Sequence, residues 1–232
     1  MSRDLNRDFF KKWSPQMAYV LGFFAADGNM IKNRRGAHFV AFYSNDRKLI
    51  ADVRSALGSN HKIGKRIYKA TWSATYQLQI GSKEIFTDLL SLRMKPAKSQ
   101  TLCLPSVPPK FQGDFVRGYF DGDGCIYFKK HWVKARKKSK WIFTTRFTSG
   151  SRSLLASLLR LLRNRGLERG FIVEKYKKSG YELIFSHRDS VALFRFMYDT
   201  VSDNGLYLAR KYEKYQLAIR TLYGKYAGVA QR

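Results

Sequence analysis

Residues 115–124 read FVRGYFDGDG, and residues 19–28 read YVLGFFAADG. In register, Val20/Val116, Gly22/Gly118, Phe24/Phe120, Asp27/Asp123 and Gly28/Gly124 are identical, while Tyr19/Phe115 and Phe23/Tyr119 are aromatic in both copies. The first copy closes a helical segment, SPQMAYVLGFFAA (14–26): Ser14 suits the N-cap, Pro15 the first helical position, and Asp27-Gly28 the stop. Gly22 with Ala26, and Gly118 with Gly122, set small residues four apart on one helix face. Such faces let two helix backbones approach closely. The two helices are therefore expected to pack together across a pseudo-two-fold, with their C-terminal ends side by side. Phe23, Phe24, Tyr119 and Phe120 would then fill each half's own core.

Asp27 and Asp123 fall where these helices stop. A carboxylate there faces the negative end of the helix dipole, and two of them brought together also repel. A shared hard cation such as Mg²⁺, with water and phosphate oxygens completing its shell, would offset both. Beside a scissile phosphate, such an ion activates water and stabilises the leaving oxygen. A single Asp-Gly reads more simply as a helix stop or turn, because both residues tolerate left-handed backbone angles. Its repetition at one place in a repeat favours the shared site.

The rest of the chain repeats as well. In the first half HFVAFYS (38–44) reads as a strand, RKLIADVRSALG (47–58) as an amphipathic helix, HKIGKRIY (61–68) and YQLQI (76–80) as strands, and SKEIFTDLLSL (82–92) as a helix. In the second half CIYF and WIFTTRFT (141–148) read as strands, SRSLLASLLRLLRNRG (151–166) as a helix, FIVEKY (171–176) and YELIF (181–185) as strands, and SVALFRFMYDTV (190–201) as a helix. A last helix, LARKYEKYQLAIRTLYG (208–224), closes the chain. The proline-rich connector between the halves gives domains at 1–93 and 113–232, with a linker at 94–112.

At 232 residues and 44% apolar, the chain can bury a sizeable core. Its 44 Lys+Arg against 17 Asp+Glu give a formal charge of +27. A compact chain this basic repels itself, so the excess is expected to meet an anionic partner: nucleic acid first, an anionic membrane surface or plain solubility second. No apolar run approaches the roughly 20 residues that span a bilayer, so no membrane partner is expected. The N-terminal MSRDLNRDFFKKW lacks the apolar region of a signal peptide. Cys103 and Cys125 form neither a C-x-x-C pair nor a disulfide framework, which suits a reducing compartment. An intracellular protein of cytoplasm, nucleoid or organelle matrix is expected rather than a secreted one. The four histidines are scattered, without zinc spacing.

VLGFFAADG and VRGYFDGDG resemble the two signature helices of single-chain LAGLIDADG homing endonucleases, and the resemblance spans nearly the whole chain. The first copy departs from the signature at Ala25, where the family has an acid; the later acid, the family's metal ligand, is kept as Asp27. The resemblance implies an α+β fold, a pseudo-two-fold tandem repeat of αββαββα. Its two saddle-shaped antiparallel sheets would lie along the DNA major groove, with helices on their outer faces and the paired motif helices at the interface. It implies an intron-encoded, monomeric, site-specific endonuclease that hydrolyses both strands of a long asymmetric double-stranded target, leaving short 3′ overhangs. Mg²⁺ is the expected cofactor, Mn²⁺ a substitute, and Ca²⁺ an ion that binds without cleavage. The carbonyls of Ala26 and Gly122 join Asp27 and Asp123 as candidate metal ligands. A basic residue late in each half assists in this family: MKPAKSQ (94–100) nominates Lys98 and GLYLARKYEKY (205–215) nominates Lys211. Each lysine reads equally as a phosphate contact or a solvated charge. Ser44 and Ser149 match each other in the repeat and are candidates for positioning water.

Period-two alternation nominates the DNA-facing side chains. Gln77 and Gln79 share a face of YQLQI; Thr144, Arg146 and Thr148 share a face of WIFTTRFT; Lys62, Arg66 and Tyr68 share a face of HKIGKRIY. Gln can pair with adenine, and Arg with guanine or phosphate; an ordinary wet sheet face is the alternative. KKHWVKARKKSK (129–140) contributes Lys129, Lys130, Lys134, Arg136, Lys137, Lys138 and Lys140, read as an extended hairpin loop on the DNA backbone. Its first-half equivalent is the shorter loop NMIKNRRGAH (29–38), with Lys32, Arg34 and Arg35. Lys175 and Lys177 join the set. Phosphate contacts this dense predict salt-sensitive binding, and unequal halves predict an asymmetric site.

A non-cleaving protein on the same scaffold is the main alternative, either a maturase bound to its host intron RNA or a DNA-binding regulator; loss of the acids would favour it, and both acids are present. An endonuclease domain inside an intein is a third reading. The chain has no recognisable Cys or Ser splice start and ends GVAQR rather than His-Asn, so a free-standing protein is expected.

Overall fold

The computed structural model describes residues 3–67, 73–97, 100–201 and 205–224. Among these described residues, seven α-helices and eight strands follow one another as α1 (Pro15–Asp27), β1 (Gly28–Lys32), β2 (His38–Ser44), α2 (Arg47–Ala56), β3 (Ile63–Arg66), β4 (Thr75–Gly81), α3 (Lys83–Ser91), α4 (Gln112–Asp123), β5 (Gly124–Val133), β6 (Lys138–Ser149), α5 (Arg152–Arg163), β7 (Phe171–Glu174), β8 (Tyr181–Ser186), α6 (His187–Tyr198) and α7 (Ala209–Tyr223). The strands form two four-stranded antiparallel sheets with one topology, β1-β2-β4-β3 and β5-β6-β8-β7. The fold is the α+β tandem repeat, with α7 added to the second copy.

Short polar side chains open several helices. Ser14 Oγ accepts from the Met17 amide at 3.1 Å, Asp46 Oδ1 from Leu49 at 3.1 Å, Ser82 Oγ from Ile85 at 3.2 Å and Ser151 Oγ from Leu154 at 3.3 Å. Each bond satisfies an amide that the first helical turn would leave unpaired. α1 is buried from Met17 to Ala25 on all sides, as a helix in the middle of a core must be. Phe42, Leu78 and Ile80 of the first sheet and Phe143, Phe147, Leu183 and Phe185 of the second line the faces that carry the helices.

Two loop assignments are corrected. Gly28–Lys32, read from sequence as part of a loop, is a strand paired with β2 from Gly28↔Phe42 to Lys32↔His38. Only Met30 among its side chains is buried, so the segment shows almost no alternation in sequence. Residues 129–140 are likewise no open loop. β5 and β6 stay in register out to Val133↔Lys138, and a 3₁₀ turn at Lys134–Arg136 with left-handed Lys137 (φ 45°) closes the hairpin. Lysine has weak strand propensity; the cross-strand ladder, with Trp141 stacked on Phe128 at 4.4 Å, extends the pairing beyond what propensity suggests.

Candidate active site and nucleic-acid face

α1 and α4 meet through their glycines. A Cβ on Gly22 would lie 2.0 Å from the Phe115 carbonyl oxygen, and one on Gly118 would lie 2.0 Å from that of Tyr19. The contact is reciprocal, and only a hydrogen side chain fits either position. One turn on, a Cβ on Gly122 would meet Ala26 Cβ at 2.4 Å and Asp27 Oδ2 at 3.0 Å. The Asp27 carboxylate therefore lies across the Gly122 backbone, beside the end of α4 that carries Asp123. The Tyr119 phenol is held well above its ordinary range by burial first, then by the charges of Asp123 and Asp27. Both acids thus act on one phenol, and both side chains are half-buried. Trp13 and Phe111 stack at 6.3 Å before the starts of the two helices.

No three His, Cys, Asp or Glu side chains converge among the described residues. An ion here would draw two carboxylates from the protein and the rest of its shell from carbonyls, water and phosphate. That all-oxygen, half-open donor set fits a Mg²⁺-type ion and does not fit zinc.

Lys211 reaches the same helix end. Its Nζ donates to the carbonyls of Phe120 at 2.7 Å, Asp121 at 2.8 Å and Gly122 at 3.3 Å. The side chain is buried, and burial lowers its pKa to about 8 in spite of Asp121 and Asp27 nearby. Lys211 supplies the positive charge that the C-terminus of α4 calls for, so part of what Asp123 needs comes from the protein. It also occupies the Gly122 carbonyl, a candidate metal ligand; Ala26 stands beside Gly122 across the helix interface. Lys98 lies outside the described residues. Ser44 Oγ accepts from the Asp46 amide and Ser149 Oγ from the Ser151 amide, both at 3.0 Å, so each serine turns a strand into the helix that follows. Lys211→Met removes the ammonium from three carbonyls, of which Phe120's still accepts from the Gly124 amide, and is expected to lower stability by about 2–4 kcal/mol, measured by urea denaturation.

Asp121, which stands where the first copy has Ala25, is the centre of a buried network. Its Oδ2 accepts from the Tyr19 hydroxyl at 2.7 Å and the Leu208 amide at 2.8 Å. Arg117, buried beside it, donates to Asp114, to the Met197 carbonyl and to the Leu206 carbonyl, with its guanidinium 5.4 Å from the Tyr19 ring. The network ties α1, α4, the end of α6 and the start of α7 together. The one sequence signal for it was Tyr19 standing where the other copy has Phe115. Asp121 Oδ1 has no hydrogen-bond partner, and burial raises the carboxyl to about 6 from 3.8, against the bonds from Tyr19 and Leu208. A carboxyl whose folded pKa is raised contributes most stability when protonated, and that contribution is lost as pH climbs from about 4 to about 6. Asp121→Asn keeps an acceptor for Tyr19 and Leu208 without the charge. It is expected to raise stability by about 1–3 kcal/mol at pH 7.5, with the gap closing toward pH 4, in denaturation curves run with EDTA.

The helix-free faces of the two sheets start beside the acids, where β1 and β5 begin. In the first sheet the outward set includes Asn29, Ala41, Tyr43, Gln77, Gln79 and Arg66 by register. Gln77 Nε2 donates to Tyr43 Oη at 3.2 Å and to Gln79 Oε1 at 3.0 Å. Lys62 is exposed just before β3; Tyr68 lies outside the described residues. Lys32 falls on the Met30 side, and Arg34 and Arg35 are exposed in the β1–β2 turn. In the second sheet Cys125, Tyr127, Lys129, His131, Lys138, Lys140, Thr144, Arg146 and Thr148 share the helix-free face. Lys130 alternates to the other side with Trp132 and Trp141, and Lys134, Arg136 and Lys137 cluster at the hairpin tip. Lys175 and Lys177 stand in the β7–β8 turn. Sequence reasoning missed Glu182, an acid on this face paired with Arg146 at 3.3 Å.

A protein-family model described as a LAGLIDADG-like domain matches residues 14–92 and again 110–196. Among curated proteins, a replication factor C small subunit of Methanocaldococcus jannaschii is 31% identical over 130 residues, 55% of this chain and 7% of that protein. An uncharacterized protein of the same organism is 24% identical over 193 residues, 78% of this chain and 65% of that protein. The chain thus spans less than two thirds of either relative. Among solved structures, the LAGLIDADG homing endonuclease I-SmaMI bound to cleaved DNA superposes with a TM-score of 0.60 at 15% identity, covering 93% of this chain and 92% of that one. I-LtrWI, a LAGLIDADG homing endonuclease bound to target DNA, gives 0.61 at 12% identity over 95% and 92%. I-SmaMI on an uncleaved DNA target with calcium ions gives 0.57 at 15% over 93% and 94%.

Proposed function

Because the chain belongs to the LAGLIDADG family, with one family domain in each half, we propose that it is a site-specific double-strand DNA endonuclease that works with a divalent metal ion. One observation carries the reading. Two carboxylates stand at the adjoining ends of two helices packed glycine against backbone, each directly before the first strand of its sheet, in a chain of formal charge +27.

DNA would lie along both helix-free sheet faces, with lysines and arginines of the β1–β2 turn and the β5–β6 hairpin on its phosphates. Asp27 and Asp123 would hold Mg²⁺, or Mn²⁺ in its place, between the helix ends and the scissile phosphates. When bound, the ion supplies Lewis-acid stabilisation of phosphate oxygens and an acidified water. Lys211 holds the last turn of α4 so that Asp123 keeps its position. The Gly22–Gly118 contact sets the distance between the acids, and with it the stagger of the two cuts that leaves 3′ overhangs. The halves differ in outward residues, so the target is asymmetric and one chain suffices to read it.

Full-length protein incubated with a randomised double-stranded DNA library and Mg²⁺ should cut a defined subset. Binding without cleavage is expected in Ca²⁺, as is a steep loss of affinity with salt. A chain that binds structured intron RNA tightly and cuts no member of the library would be a maturase instead.

A further inference from the structure

We propose that the Arg146–Glu182 pair on the second sheet reads a single G·C base pair close to the cleavage site; this rests on the DNA-binding reading above. Glu182 is anomalous where it stands. The chain has only 17 acids against 44 bases, yet this carboxylate sits on the helix-free face of β8, opposite Thr148 in register. A fixed carboxylate facing phosphates weakens binding unless it meets a hydrogen-bond donor.

Its surroundings supply a reason. Arg146 donates from Nη1 to Glu182 Oε2 and from Nε to Thr144 Oγ1, both at 3.3 Å, and its guanidinium lies 5.4 Å from the Tyr127 ring. The fork is therefore oriented on three sides, while the bonds are long enough to be exchanged. Side-chain exposures of 32% for Arg146 and 19% for Glu182 leave both within reach of a groove. A guanidinium fork matches O6 and N7 of guanine, and a carboxylate accepts from N4 of cytosine. Side by side, they complement the two partners of one base pair.

The fold does not demand this pair. By register, the first sheet carries Ala41 where the second has Arg146, Gln77 in place of Glu182 and Gln79 in place of Ile184. Neutral amides there suit adenine, so the charged pair belongs to one half-site only. Its place along the target also follows. Arg146 pairs with Cys125, two residues beyond Asp123. That is about 7 Å of strand, or about two base-pair steps of DNA. The base pair read should fall within roughly two to four steps of the cut.

The test is a binding selection from randomised double-stranded DNA with the full chain, repeated for Arg146→Gln and Glu182→Gln, with thermal melts to verify folding. Wild type should enrich G·C at one inner position of one half-site. Each variant should lose that preference by about 10- to 100-fold and keep the others. Unchanged preferences in both folded variants would overturn the proposal and make the pair structural. A uniform affinity loss at all positions, with the salt slope for Arg146→Gln smaller by about one, would also overturn it and make Arg146 a phosphate contact. Wild type enriching no sequence at all would instead remove the site-specific reading proposed above.

Discussion

Asp123→Asn and Asp27→Asn should each abolish double-strand cleavage while leaving DNA binding intact. Each asparagine keeps the shape of the side chain and removes one of the two carboxylates at the helix junction. The ion these acids would hold contributes several kcal/mol to phosphodiester hydrolysis, so its loss should slow cutting by about 10³-fold or more. Affinity should stay level or rise slightly, because one negative charge near the phosphates disappears from a chain of charge +27. The check pairs a plasmid-linearisation assay on a selected target with a gel-shift titration. Wild-type linearisation by either variant would remove that acid from the metal site. Loss of binding in step with cleavage would mean that the substitution had damaged the helix interface.

The second large effect belongs to the glycines. Gly118→Ala should destabilise the protein by about 3–5 kcal/mol, and Gly22→Ala by a similar amount. The added methyl would stand 2.0 Å from a backbone carbonyl oxygen of the facing helix. No side-chain rotation relieves that overlap; the helices must separate, and the core that buries α1 on all sides must open with them. Gly36→Ala is the comparison. Its site has φ +81° and nothing within 4 Å, so only the backbone preference is disturbed, at about 1 kcal/mol. Gly122→Ala lies between these cases, against Ala26 Cβ at 2.4 Å and Asp27 Oδ2 at 3.0 Å. It should reduce cleavage more than stability, since the atom it displaces is a proposed metal ligand. Chemical denaturation of the four variants ranks them; Gly118→Ala as stable as Gly36→Ala would contradict the contact geometry.

Some of this was legible in residues 19–28 and 115–124. A repeated small-x-x-x-small face followed by Asp-Gly gave the helix pair, its direction and the convergence of two acids. Period two gave the outward sides of YQLQI and WIFTTRFT. β1 was hidden, because a five-residue strand with one buried side chain has no pattern to read. The hairpin itself was read, but its strand pairing out to Val133↔Lys138 was hidden, because that pairing comes from a neighbouring strand rather than from its own lysines. The role of Asp121 was hidden for a related reason. In sequence it faces Ala25, but in space it faces the Tyr19 hydroxyl of the other helix.

The sequence by itself determined the duplication, the helix pair and the two acids at its end, because local spacing on a helix sets which residues share a face. It also determined the charge of +27 on which the proposed nucleic-acid partner rests. Tertiary structure alone decided what Lys211 does. Sequence nominated it for chemistry at the metal, whereas folding places its Nζ on three carbonyls at the end of α4. Tertiary structure alone also set Glu182 against Arg146. Both follow from contacts between elements far apart in the chain, and neither the period of a strand nor that of a helix carries such a contact.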